Sequence, residues 1–166
     1  VDDGTGGGAS NDDRPAFSVN DVTVNESAST LTFTVTKTGD VASTKTSGVF
    51  YSLQDSTATA GEDYTSKIGW LQFAQGEFTK TVTVDLTNDD KYEGAETFFI
   101  NLSQAGNATI ADNQGVATIR DDGTSNGSLV ASDDDRPVFS VNNVVINEAA
   151  GTAVFTVTKT GATDLN

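Results

Sequence analysis

Residues 29–38 read Ser-Thr-Leu-Thr-Phe-Thr-Val-Thr-Lys-Thr, with Leu31, Phe33 and Val35 alternating against Thr30, Thr32, Thr34 and Thr36. Side chains of a strand point to opposite faces in turn, so this period of two builds one dry face and one wet face. β-branched and aromatic residues suit such a half-buried surface. Residues 77–87 repeat the pattern, with Phe78, Val82, Val84 and Leu86 set against Thr79, Thr81, Thr83 and Asp85.

Outward from these two segments, five more strands are predicted. They cover about 16–26 (Phe17, Val19, Val22, Val24), 46–54 (Val49, Tyr51, Leu53), 67–73 (Ile68, Trp70, Leu71, Phe73), 96–104 (Phe98, Ile100, Leu102) and 114–120 (Val116, Ala117, Ile119). The apolar phase slips between Val19 and Val22, which predicts a bulge or kink near Asn20-Asp21. No stretch carries a long helical period. Seven short strands joined by turn residues predict an all-β fold, an immunoglobulin-like antiparallel β-sandwich, with an open barrel as the alternative.

Composition narrows the chemistry. Hydrophobic residues are 36% of the chain, below the roughly 45–50% usual for globular domains, a range that counts Gly. A core therefore requires strict sorting of apolar side chains to one face, and the alternation supplies it. The net charge of −15 disfavours nucleic acid and anionic membrane surfaces and favours cations. Cys, Met and His are absent, so the usual ligands of zinc, copper, haem and iron–sulfur clusters are missing, as are Cys- and His-dependent nucleophilic sites. No apolar run approaches the roughly 18 residues of a membrane-spanning helix, so no direct membrane insertion is expected. The chain opens without a signal peptide and stops inside a strand-like run, which reads as an excised segment.

The chain also repeats itself. Residues 14–39 and 136–161 align without gaps at an offset of 122, and 18 of the 26 positions are identical. The expected division is 1–13 as the end of a preceding repeat and its linker, 14–122 as a complete domain, 123–135 as a linker, and 136–166 as the N-terminal strands of a next, truncated repeat. Gly, Ser, Asn and Thr dominate 4–11 and 123–132, and each stretch runs into an acidic lead-in ending in Arg14-Pro15 or Arg136-Pro137. Two strands alone cannot bury their apolar face, so 138–160 is expected either to be disordered or to pair with another chain.

The carboxylates fall at strand ends. Glu26 ends the first strand. Asp63 lies in the loop 59–64. Asp89, Asp90, Glu93 and Glu96 fill the connection between the fifth and sixth strands. Asp121 and Asp122 follow the seventh. In a sandwich these four places can meet at one pole. Like charges about 4 Å apart cost on the order of 1–4 kcal/mol each. Ca²⁺, which accepts roughly 6–8 hard oxygens with loose geometry, is the fitting counter-ion, ahead of Mg²⁺ with its stricter octahedron. The plainer alternative is that each acid merely solubilises its loop.

These stretches resemble a known family. FSVNDVTVNE (17–26), TATAGEDY (57–64), LQFAQGEFTKTVTV (71–84), NDDKYEGAETFFINL (88–102) and GVATIRDD (115–122) are similar to the Calx-beta domain of sodium–calcium exchangers, an integrin and bacterial surface proteins. The resemblance implies calcium bound at one end of an immunoglobulin-like sandwich. It assigns Glu26, Asp63, Asp89, Glu93, Glu96, Asp121 and Asp122 as ligands, with Lys91 offering a backbone carbonyl. Asn88 and Gly123 stand where exchanger domains carry Asp, which implies one to three ions and an affinity nearer the roughly 10⁻⁴–10⁻³ M of extracellular modules. In the broken repeat only Glu148 of that set is present.

The function expected from all this is a non-enzymatic, calcium-binding structural or adhesive repeat of a large extracellular or cell-surface protein of bacterial type. Its partners would be neighbouring repeats of the same chain, or other copies by strand pairing. Asp133, Asp134 or Asp135 would contribute at the joint. Assembly by strand exchange, or calcium sensing for an attached transporter or enzyme, are the other readings. Paired carboxylates such as Glu93 and Glu96 could serve acid–base catalysis, but nothing predicts a substrate cleft. Trp70 reads as packing rather than as a sugar platform. Asn25, Asn101, Asn107 and Asn126 begin glycosylation sequons of a kind frequent by chance in such a chain.

Overall fold

The computed structural model describes residues 14–39, 46–122 and 134–164, and the backbone of 124–125 and 128–129. The segment 1–13, most of the linker, Asp133 and the sequon at Asn126 lie outside the described residues.

The seven predicted strands are all present, as parts of two sheets. β1 (Ala16–Val19), β3 (Thr30–Thr38), β6 (Thr79–Asp85) and the short β9 (Thr109–Ile110) form one, in the order β6-β3-β1-β9. β2 (Val22–Asn25), β10 (Gln114–Arg120), β8 (Ala95–Gly106), β4 (Ser47–Asp55) and β5 (Ile68–Phe73) form the other, in the order β2-β10-β8-β4-β5. Pairing is antiparallel except between β1 and β9 and between β2 and β10, which run parallel. The fold is thus an immunoglobulin-like β-sandwich.

The phase slip near Asn20 proves larger than a bulge. The expected single strand over 16–26 divides, and its halves belong to different sheets. Asn20 and Asp21 make the crossing. Asn20 Oδ1 accepts from Thr34 N of β3 at 2.6 Å, and Asp21 Oδ1 accepts from Val116 N of β10 at 2.8 Å. Each side chain thereby supplies the backbone partner its sheet loses at the break. The crossing chain runs so close over β10 that a Cβ on Gly115 would lie 2.5 Å from the Asn20 carbonyl.

The alternation in β3 and β6 delivers Leu31, Phe33, Val35, Val82 and Val84 to the interior, where they meet Val49, Leu53, Phe73, Phe98, Ile100 and Ala117. Tyr64 stacks on Phe98 with ring centroids 3.9 Å apart, anchoring the β4–β5 loop to the core. β5 lies at the edge of its sheet. Phe73 is buried, but Ile68 and Trp70 face outward, and Trp70 is 50% exposed with its indole over Gly48. A strand at the sheet edge with its outer face open leaves alternate side chains in water whatever their type.

The downstream segment copies the first hairpin. β11 (Thr124–Ser125) pairs with β12 (Ser128–Leu129). β13 (Val138–Val141) then pairs with β14 (Val157–Thr160) in the register of β1 with β3 shifted by 122: Val138 faces Thr160 as Ala16 faces Thr38. Asn142 accepts from Thr156 N as Asn20 does from Thr34 N. Gly151 takes the left-handed turn position that Ser29 takes upstream. Among the described residues no second sheet covers this copy, and Phe139 is 66% exposed where Phe17 is fully buried. Its last strand, β15 (Ala162–Thr163), runs parallel to β7 (Lys91–Tyr92), and Asp164 N donates to Tyr92 O at 3.0 Å.

Candidate metal centre

Strand register brings the acids together. β2 and β10 are parallel with Asn25 opposite Arg120, so the next residues, Glu26 and Asp121, leave the sheet side by side. β10 and β8 are antiparallel with Arg120 opposite Ala95, which sets Asp121 against Gly94 and its neighbour Glu93. Asp121 N donates to Gly94 O at 3.2 Å, and Glu93 N donates to Asp121 Oδ2 at 2.8 Å. Gly94 turns the chain here with φ of +84°, a conformation side-chain-bearing residues rarely adopt. Glu26 begins a single 3-10 turn over Glu26–Ala28, capped by the Asn25 side chain accepting from Ser27 N. Its Oε1 accepts from Asp89 N at 2.8 Å, which ties the β6–β7 connection to the pole.

Asp63 arrives on the β4–β5 loop. Its Oδ2 accepts from Thr59 N at 2.6 Å, closing the turn. Asp55, at the end of β4, holds the same loop by accepting from Ala60 N at 3.0 Å and from the Tyr64 hydroxyl. Sequence reasoning missed Asp55. The signal for it was an acid nine residues before an aromatic in a turn-rich loop, too generic to stand out.

The outcome is two carboxylate triads, in each of which one oxygen per residue lies within 4.8 Å of the others: Glu26, Asp121 and Asp135, and Asp63, Glu93 and Glu96. Five of these residues line one shallow pocket. Of the eight predicted ligands, Glu26, Asp63, Glu93, Glu96 and Asp121 thus converge. Asp89 sits at the rim, held by its contact with Glu26 and by accepting from Lys91 N. Asp90 is exposed and belongs to neither triad. Asp122 turns instead to Arg120, 3.6 Å away. Lys91 Nζ lies 3.6 Å from Asp89. Glu148 is exposed on the downstream copy. Asp135, which the sequence placed in the linker, stands in the first triad.

Two of the triad acids are deeply buried, Glu26 at 6% and Asp121 at 2% exposure. Burial first, and then the charges of Asp121, Asp89 and Glu93, push the Glu26 carboxyl up to about 8, against the Asp89 backbone donor that favours its ionised form. Burial, then Asp63 and Glu93, push Glu96 up to about 7. Glu93 is raised by burial and by Asp63 and Asp89. Burial and like charges thus disfavour the ionised forms of Glu26, Glu93 and Glu96, the condition a divalent cation reverses.

The donor set fits Ca²⁺. Every candidate side-chain ligand is a hard oxygen. Oxygens bound at about 2.3–2.6 Å around one ion can lie up to about 5 Å apart, which the triads satisfy. Backbone carbonyls and water would complete each shell.

A sequence profile of the Calx-beta domain matches residues 10–123. Sodium/calcium exchanger 2 of Rattus norvegicus is 32% identical over 103 residues, 62% of this chain and 10% of the exchanger. The extracellular matrix organizing protein FRAS1 of Mus musculus is 28% identical over 142 residues, 82% of this chain and 3% of that protein. The chain therefore spans a small fraction of these relatives. Among solved structures, the apo-form Calx CBD1 domain superposes with a TM-score of 0.61 at 24% identity, covering 64% of this chain and 96% of that one. The calcium binding domain CBD12 of CALX1.1 gives 0.59 at 26% identity, covering 64% of this chain and 45% of that one. With the profile spanning well over half of its length, the chain belongs to the Calx-beta domain family.

Proposed function

We propose that this chain is a calcium-binding structural repeat, in which Ca²⁺ holds together the strand ends and loops of one sandwich pole. The observation that carries this reading is the pair of carboxylate triads, gathered from four separate segments of the domain together with Asp135. Glu26, Asp121, Asp63, Glu93 and Glu96 would serve as ligands, with Asp89 at the rim, and two ions match the two triads. An ion bound only by the folded state adds about 2.7 kcal/mol of stability at 100 times its Kd. Support for calcium comes from the family and from the solved relative described as a calcium binding domain. The structural role draws on the internal repeat, whose second copy reproduces the first hairpin in register. A place outside the cell or on its surface, as part of a longer adhesive or matrix protein, belongs to the same proposal.

The test is calorimetric titration of the metal-stripped chain. Saturable uptake of Ca²⁺ with a stoichiometry near two, in clear preference to Mg²⁺, is expected. A flat calcium titration would sink the proposal.

A further inference from the structure

Asp135 lies beyond the residues 10–123 matched by the family profile, yet its carboxylate stands within 4.8 Å of ligand atoms of Glu26 and Asp121. The lead-in to β13 explains why Asp135 points there and Asp134 does not. Asp134 pairs with Arg136 two residues on, its Oδ1 accepting from Arg136 Nε at 2.6 Å. The residue before a proline favours extended backbone, and in extended chain neighbouring side chains point oppositely. Asp135 is thereby directed away from that pair and toward the pole. A second contact is independent of the first. β15 lies parallel to β7, the two residues immediately before Glu93, and Asp164 N closes on Tyr92 O.

We propose that the calcium ion held by Glu26 and Asp121 takes a further ligand from Asp135, so that calcium at this pole clamps residues 134–164 onto the domain of 14–122. This assignment rests on calcium occupying the pole, and goes beyond it by making the downstream segment part of the site. The clamp turns a tethered acid into a ligand. An acid held by a linker of a dozen or so residues is present at an effective concentration on the order of millimolar, which favours closure without any new interface. The acidic lead-in recurs in the sequence, since Asp12-Asp13-Arg14-Pro15 matches Asp134-Asp135-Arg136-Pro137.

The test uses the whole chain, compared with D135N and with D134N, a control of equal charge change in the same lead-in. Because the chain has no Cys, T81C with T158C gives a clean spin-label pair across the joint. Calorimetry should show one of two calcium sites weakened at least 10-fold in D135N and both within 2-fold of wild type in D134N. The label distance distribution should narrow on adding Ca²⁺ to wild type and D134N, and stay broad in D135N. A metal-free unfolding transition of D135N as cooperative as that of wild type separates lost ligation from misfolding. If calcium binds wild type and D135N alike and the distances ignore calcium, the clamp is wrong while calcium binding at the pole stands. If wild type takes up no calcium, both fall together.

Discussion

Glu26 and Glu96 are the side chains whose ionisation most directly reports the state of the pole. Without metal, Glu26 is pushed up to about 8 and Glu96 up to about 7, from an unfolded value near 4.5. Between these values the folded chain holds protons that the unfolded chain has released. Stability is therefore greatest below about pH 4.5, as far as these two groups are concerned, and is lost as pH rises through about 7 to 8. In a chelator, the melting temperature should be higher near pH 5.5 than near pH 8. With saturating Ca²⁺ the difference should shrink or reverse, because ligands must be ionised and binding releases protons. A chelated protein whose melting point rises over that range contradicts the assignment. Asp55 offers a test through position alone. Asp55→Ala frees the loop that carries Asp63, and calcium affinity at the Asp63 triad should drop on the order of 10-fold, as it does when outer-shell partners of metal ligands are lost. An unchanged titration would remove Asp55 from the account. Glu26, Glu93, Glu96, Asp121 and Asp63 were legible in the sequence because each sits where a strand ends or a short loop turns. Which of Asp89 and Asp90, or of Asp121 and Asp122, would face inward was not, since loops carry no period to assign faces. Asp135 was named with its two neighbours as a contributor at the joint. Only its pairing geometry singles it out.

Among the elements, the break between β1 and β2 decides where Glu26 goes. A strand that continued in the first sheet would carry Glu26 away from Asp121. The crossing instead places β2 beside β10, in parallel, with Asn25 opposite Arg120. The sequence showed the break as a slip in apolar phase, but not that the halves change sheets, because that depends on pairing partners distant in the chain. Gly115 is the residue that permits the crossing. Gly115→Ala would set a Cβ against backbone that cannot swing aside, and should destabilise the domain by about 1–3 kcal/mol. Gly48→Ala meets first the indole of the half-exposed Trp70, a side chain that can shift, so its cost should be the smaller of the two. Chemical denaturation of both variants in chelator checks the order, and equal losses would mean that the crossing is not tightly packed over β10. The period-two strands β3 and β6 were read correctly to within two residues because a single buried face fixes their alternation. The outward turn of Trp70 was left open between core and surface packing, because a run of Ile-Gly-Trp-Leu does not show which face is covered.

The molecule as a whole is one complete sandwich followed by a hairpin built like its own beginning. The hairpin exposes Phe139, Val141, Phe155 and Val157, whose upstream equivalents Phe17, Val19, Phe33 and Val35 are buried. The difference lies in the covering sheet and not in local sequence. Such a face should bind a reporter of exposed apolar surface, and trimming the chain after residue 135 should remove most of that signal without unfolding the sandwich. Loss of cooperative melting on trimming would instead mean that the sandwich depends on the hairpin. The sandwich itself gathers acids from four segments onto one end, and the central claim is that a hard cation makes this gathering compatible with folding. Thermal unfolding of the metal-stripped chain near pH 7.5, with and without Ca²⁺ at 100 times its Kd, tests that claim most directly. A gain of about 2.7 kcal/mol per ion should raise the melting temperature by on the order of 5–10 °C per ion, and chelator should restore the lower value. A melting temperature indifferent to calcium and chelator would contradict the account.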